Sequence, residues 1–321
     1  MITCRTQQGA VRQVSLSLRF SSLNLQNFAA PPLASYEFDN IYSQAQWQQK
    51  TSWLRRTIAA AAPDVLLLQE VFSVDELRQL LLELGYSHFA AAAEPLLVDG
   101  HFYLQPVVAI ASRYPLKQHH LPEPDAALLK ALGLHHFQFS RTPLAVTVYL
   151  PGIGACDFYG VHLKSRRALT AVLEQGGSDR LGRFAACAQR GYEAAILMEL
   201  VQRQQQLRGH PVVLGGDLND DLQSGFLQPL TMAGSALQLK DSWDLWSDAP
   251  QARPATHYYG AKGSVLDYLL LSADFDALQA HSLAGVSEVH IRDQHLLKPD
   301  YQLDAYSSDH AMVTVTIQLR H

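Results

Sequence analysis

Apolar and β-branched residues recur in short runs along the chain, at Val14 to Leu25, Val65 to Gln69, Val107 to Ala111, Leu144 to Tyr149, Asp157 to Val161, Pro211 to Leu214, Leu266 to Leu271 and Ala311 to Leu319. Their length and alternation predict strands. Three longer stretches carry apolar positions at helical spacing, Gln44 to Ala61, Val74 to Leu84 and Leu181 to Gln206, the last rich in Ala, Leu, Glu and Gln. Ser73 followed by Glu76 reads as a capping box opening the second helix, and Gly85 is placed to close it. Strands and helices interleave without a regular βαβ beat, and turns such as Arg113-Tyr114-Pro115 and Pro151-Gly152 join some strands directly. That order predicts an α/β fold of two mixed sheets packed face to face with helices outside, rather than one parallel sheet.

The 321 residues are long enough for two average domains, but no linker, repeat or low-complexity tract divides them. The expectation is a single domain over residues 1–321, with loop-rich insertions at Pro122 to His135 and Ala168 to Asp179. Hydrophobic residues make up 48% and charged residues 17%, enough to bury a sizeable core without staples. The formal charge of −5 argues against a surface built wholly as a nucleic-acid footprint, and leaves room for a local basic patch. Cys4, Cys156 and Cys187 are odd in number and widely spaced, so neither a disulfide framework nor a zinc-finger spacing is available. Met1 to Val14 contains no apolar run that would make a signal peptide or a membrane span. A cytoplasmic location is the default, with removal of a leader before this numbering left open.

The candidate chemistry lies where apolar runs end. Asn24, Glu70, His162, and Asp217 with Asn219 each follow a strand-like run, so the fold can gather them at one rim. Gly215 and Gly216 before Asp217 allow a close backbone approach, and a spacing of two would put Asp217 and Asn219 on one side of an extended chain. His162 precedes Lys164, Arg166 and Arg167, which suggests an anion-facing surface. Asp267 sits inside the run Val265 to Leu271, where an acid is costly unless paired or bound. Asp309 and His310 precede the last run; a carboxylate beside an imidazole can hold a tautomer or tune a partner.

Taken in this order, from Leu23-Asn24-Leu25 to Ser308-Asp309-His310, these segments resemble the endonuclease/exonuclease/phosphatase superfamily. The resemblance implies a deoxyribonuclease-like four-layer α/β/β/α sandwich and a divalent-metal-dependent hydrolase of phosphate esters. It implies that Glu70 is the principal metal-binding carboxylate, with Asn24 and Asp309 on the metal side. His162 resembles the histidine that contacts the scissile phosphate or acts as an acid, and Asp217 and Asn219 resemble the residues that position water and phosphate. Asp267 looks like the carboxylate that orients the catalytic His310. Lys262, Arg113 and Arg141 are candidates for holding substrate phosphate.

The chemistry suits those residue types. An anionic ester needs a cation to neutralise its phosphoryl oxygens, and Mg2+ or Mn2+ on hard oxygen ligands such as Glu70 and Asp309 supplies it. Either His310 or the Asp217 carboxylate can take the proton of the attacking water. Gln26 stands where the abasic-site endonuclease branch has an acid, and that branch's Tyr-x-Pro-Asn segment is missing before His162, which argues against base-excision repair. A phosphodiesterase or nuclease is therefore expected first; an inositol phosphate phosphatase or a sphingomyelinase-like lipid phosphodiesterase is the alternative. A catalytically silent relative that binds a phosphorylated ligand is the rival from another class, and the complete residue set weighs against it. The implied partners are a phosphate-ester substrate, with nucleic acid among the candidates, and no obligate protein.

Overall fold

The computed structural model describes residues 16–320, so the readings made for Met1 to Val14, Cys4 included, lie outside the described residues. Two six-stranded mixed sheets form its centre. The first runs in the order Ala284–Arg292, Met312–Leu319, Ser17–Phe28, Val65–Val71, Val107–Ser112, His88–Ala91. The second runs Lys240–Asp241, Asp267–Leu271, Val212–Asp217, Gly154–His162, Leu144–Leu150, Leu116–His119. Each contains one parallel pair, Ser17–Phe28 with Val65–Val71 and Gly154–His162 with Val212–Asp217.

The alternation seen in the sequence assigns the layers. Leu18, Phe20, Val65, Leu67 and Ile110 of the first sheet meet Val146, Phe158, Val213 and Leu269 of the second in one buried cluster. There Phe20 and Phe158 pack edge to face with centroids 5.0 Å apart. The outer face of the first sheet buries Leu66, Leu68 and Ala109 against Trp53, Leu54, Ile58, Leu77 and Leu81 of the helices Gln44–Ala61 and Val74–Glu83. The outer face of the second buries Tyr159, Val161 and Leu214 against Ala194, Leu197 and Val201 of the helix Asp179–Arg208. The result is the expected four-layer α/β/β/α sandwich. Truncating Phe20 to Ala would cost about 3–5 kcal/mol, because close-packed sheets cannot collapse onto the space.

Several local expectations change. Ser73 makes no cap; its Oγ accepts the Ala30 N–H at 2.8 Å and ties two loops together. The reciprocal capping box belongs to the first helix, where Ser43 accepts from Gln46 and the Gln46 side chain accepts from Ser43 N–H. Gly85 does close the second helix, at φ +88°. The nine-residue strand Ala284–Arg292 was hidden because it lies at a sheet edge and a register shift between Val286 and Glu288 breaks its alternation. Both insertions hold a short helix, Ala126–Ala131 and Thr170–Glu174. Among the described residues no helix is long and apolar enough to cross a membrane.

Strand direction decides which ends share a rim. The C-terminal ends of the two parallel pairs lie at the same rim as the N-terminal ends of Asp267–Leu271 and Met312–Leu319, which run antiparallel to them. Gly216 is required there: a Cβ on it would sit 1.9 Å from the Val161 carbonyl oxygen of the neighbouring strand.

Candidate active site

Register builds the site. His162 pairs with Asp217, and Asp217 pairs with Asp267, so three polar side chains stand in one row across three strands. In the facing sheet, Asn24 and Glu70 lie on neighbouring strands whose pairing slips between Asn24 and Phe28, and the pairing of Val65–Val71 with Val107–Ser112 slips between Leu68 and Val71. Gln26, Asn27 and Glu70 take positive φ values of 50°, 55° and 59°. Such bulges re-aim side chains at the end of a strand, and here they turn Glu70 into the cleft between the sheets. The cleft encloses about 980 Å³ and is lined by Glu70, His162, Asp217, Asn219, Asp309 and His310, with Asn27, Arg141 and Lys262 around them.

The hydrogen bonds tie the two sheets into one unit. Asn24 Nδ2 donates to Glu70 Oε1 at 3.3 Å and to Asp217 Oδ2 at 3.1 Å, while its Oδ1 accepts the Gln26 N–H. Asn219 does not continue an extended strand; at φ 56° it folds back, and its N–H donates to Asp217 Oδ1 at 2.8 Å. That turn, rather than a period of two, holds the pair together, and Asn219 Nδ2 donates to the Leu163 carbonyl at 3.0 Å. Asp267 is fully buried, and its Oδ2 lies 2.8 Å from His310 Nδ1. Ser308 anchors the final segment by donating to Asn24 O at 2.6 Å and accepting the His310 N–H.

Electrostatics separate the two histidines. Burial pushes His162 well below the usual histidine range, and Arg141, His310 and Lys164 push it further, so its Nε2 meets Asp217 Oδ2 at 3.4 Å as a neutral ring. Burial also disfavours the His310 cation, but the Asp267 and Asp217 carboxylates outweigh it and raise His310 to about 10. Asp217 is raised to about 7, by burial first and by the Asp267 charge, against the lowering effect of His310. The arrangement thus pairs a cationic imidazole with a carboxylate that can gain a proton near neutrality.

The oxygen donors suit a hard cation. Asn27 donates its N–H to Glu70 Oε2 at 2.9 Å, while its own Oδ1 is buried without a hydrogen-bond partner. An orphan acceptor beside a carboxylate is what a divalent ion completes. Asp217, Asp267 and His310 offer ligand atoms within 4.8 Å of one another, as do His257, Asp309 and His310.

A family model for the endonuclease/exonuclease/phosphatase family matches residues 22–310. The chain belongs to the endonuclease/exonuclease/phosphatase family. This family includes metal-dependent nucleases, phosphodiesterases and phosphatases. Solved structures share the fold of this family member. The human Nocturnin catalytic domain with bound sulfate is 21% identical over 96% of this chain and 97% of its own, with a TM-score of 0.59. Truncated Caenorhabditis elegans TDP2 is 16% identical over 94% and 98%, with a TM-score of 0.60. An endonuclease/exonuclease/phosphatase from Beutenbergia cavernae is 21% identical over 94% and 72%, with a TM-score of 0.57. No curated protein matches the chain.

Of the site residues singled out in this endonuclease/exonuclease/phosphatase chain, Asn24 and Asp267 are buried behind the cleft and bonded to residues that line it, while Arg113 lies away from it. Arg113 follows the strand Val107–Ser112, which runs antiparallel to Val65–Val71, so it emerges at the opposite rim. There its Nε donates to Pro63 O and its guanidinium covers the Tyr86 ring at 4.6 Å. Lys262 reaches the cleft from the hairpin formed by His257–Tyr259 and Lys262–Ser264. Three neighbours were missed. His257 packs against His310 with the rings tilted and centroids 4.9 Å apart, and its Nε2 lies 3.9 Å from Asp309 Oδ2. Tyr36 lines the cleft beside Arg141. Lys50 is buried beneath Tyr42; burial lowers it to about 8 against the pull of Asp309 and Glu70. A histidine after Thr256 and a lysine inside a helix carry no signal in sequence, since only the fold brings them to the site.

Proposed function

We propose that this chain, as a single domain, is a divalent-metal-dependent phosphoric ester hydrolase, working as a phosphodiesterase or nuclease. The observation that carries the reading is the convergence of Glu70, Asp217, Asn219 and the Asp267–His310 pair on one cleft between the two sheets. Glu70 and Asp309, with the free oxygen of Asn27, would hold Mg2+ or Mn2+, which when bound supplies charge neutralisation at the phosphoryl oxygens. Asn24 acts as a clamp, spending its amide on the Glu70 and Asp217 carboxylates.

Asp217, with an affinity for protons near neutrality, takes the proton of the attacking water, and Asn219 orients that water and the phosphate. His310, kept cationic by Asp267, lies against the phosphate, offsets the negative charge that grows as the P–O bond to water forms, and gives its Nε2 proton to the ester oxygen that departs as the P–O ester bond breaks. Neutral His162 donates one hydrogen bond to a non-bridging oxygen, with Lys262 and Arg141 as outer cations. A diester is placed before a monoester, and a phosphatase acting on inositol phosphates is the second reading.

The experiment is a panel of plasmid DNA, RNA, sphingomyelin, inositol phosphates and bis-p-nitrophenyl phosphate, each with Mg2+ or Mn2+ and with excess chelator. Diester hydrolysis that depends on added metal and disappears in His310→Ala is the expected result. Full activity in chelator, or in a folded His310→Ala protein, refutes the mechanism.

A further inference from the structure

We propose that Arg141 and Lys164 form a second anion-binding subsite beside the catalytic cleft, which takes a second phosphoryl group of the substrate. The inference rests on the hydrolase reading above and narrows it to esters that carry two phosphoryl groups on one skeleton. It starts from a shared wall. A second cavity of about 390 Å³ adjoins the cleft, and Arg141 and Lys164 line both.

The two cations are brought together by a built device. Glu193, on the long helix and 1% exposed, accepts the Ser140 N–H at 2.7 Å with Oε1 and the Lys164 N–H at 2.6 Å with Oε2. Arg190, one turn earlier on the same helix and equally buried, donates from Nη1 to Lys164 O at 2.9 Å, and Asp220 holds its other end. The segments bearing Arg141 and Lys164 are therefore stapled side by side through their backbones. The Glu193 carboxylate is already committed to that task.

Among the described residues, no carboxylate forms an ion pair with either cationic head. Lys164 Nζ meets neutral oxygens, Ser165 Oγ at 3.2 Å and the Ser165 and Arg167 carbonyls at 3.4 Å. Arg141 Nη1 meets Leu163 O at 3.2 Å, with the Tyr36 hydroxyl as its other neighbour. Burial lowers Lys164, and repulsion from Arg141, Arg190 and Arg167 lowers it further against the pull of Glu193. Neighbouring cations with no counter-ion gain most from an arriving dianion, whose oxygens can accept from both heads.

The subsite is coupled to the reacting centre. Leu163 O, which accepts from Arg141, also accepts from Asn219 Nδ2, and both cations are close enough to His162 to depress its proton affinity. Lys164 stands two residues along the chain from His162, so a group held there can belong to the molecule being cleaved. The cavity is also lined by Phe139, Pro106, Gln105, Gln138 and Glu94, of which Phe139 and Pro106 offer apolar surface for the organic part that joins the two phosphates.

The test measures binding and turnover separately. Calorimetry in excess chelator compares thymidine 5′-monophosphate with thymidine 3′,5′-bisphosphate on the parent protein and on Lys164→Met, which keeps the buried stem and removes the charge. The bisphosphate is expected to bind at least tenfold more tightly to the parent, and less than threefold more tightly to Lys164→Met. Should that variant unfold, Lys164→Gln gives the same comparison. Equal affinities in the parent, or a tenfold difference that survives in the folded variant, overturns the subsite. With Mg2+, the p-nitrophenyl ester of the bisphosphate should show a KM at least fivefold below that of the monophosphate ester; equal KM values count against the subsite. If neither ester turns over, the hydrolase reading fails, and the calorimetric arm still decides the subsite.

Discussion

Asp267→Asn preserves the shape of a fully buried side chain and removes its charge. The carboxylate accepts from His310 Nδ1 at 2.8 Å, so it fixes the imidazole's orientation and leaves Nε2 facing the cleft, 3.8 Å from Asp217 Oδ2. An asparagine offers either an amide N–H, which drives the imidazole proton to Nε2, or a neutral oxygen that no longer stabilises a cation. A hydrogen bond to a charged group contributes about 1.5–3 kcal/mol, which is a factor of roughly 10 to 150 if the transition state needs all of it. Where this exchange also reverses the tautomer of an Asp-His pair, the loss reaches about 10⁴-fold. We expect kcat on bis-p-nitrophenyl phosphate with Mg2+ to fall by about 10² to 10⁴, with KM little changed. Because Asp267 is one of the charges that hold His310 up against its burial, the variant also moves the His310 ionisation to lower pH. Steady-state kinetics against pH, with far-UV dichroism to check the fold, measures both. A folded Asp267→Asn enzyme within threefold of the parent would refute the role given to the pair.

Two further predictions concern regions away from the cleft. Arg113→Ala should keep kcat and KM within twofold while lowering stability by about 0.5–1.5 kcal/mol, from the lost contact with Tyr86 and bond to Pro63 O, read as a urea midpoint; a large loss of activity at unchanged stability would return Arg113 to the site. His119 is lowered by burial and by Arg208, against the pull of Asp157, with His210 beside it. Its folded form therefore binds fewer protons than the unfolded chain, so its contribution to stability is present above the unfolded value of about 6.5 and is lost as pH falls below it. His119→Gln should accordingly show a smaller drop in urea midpoint between pH 7.5 and 5.5 than the parent, and an equal drop would show that His119 does not contribute.

The order of strands and helices was legible because a sandwich with two buried sheet faces demands apolar runs, and each run forces the eye to the polar residue that ends it. Asp267 stood out for the same reason: an acid in an otherwise apolar strand is costly unless something pairs with it, and His310 does. Local chemistry beyond that was ambiguous. Ser73 and Ser43 both head a helix with Glu or Gln three residues on, and only packing decides that Ser73 serves Ala30 while Ser43 makes the cap.

Strand direction and register belong to the tertiary structure. They set His162, Asp217 and Asp267 in one row, and they send Arg113 to the opposite rim because its strand runs the other way. The bulges that turn Glu70 inward, the fold-back of Asn219 onto Asp217, and the arrival of His257 and Lys50 all depend on contacts between segments far apart in the chain. The chain alone determined which residues were too costly to be there without a purpose; the pairing of strands, whose hydrogen bonds form only between distant segments, decided which of them face one another.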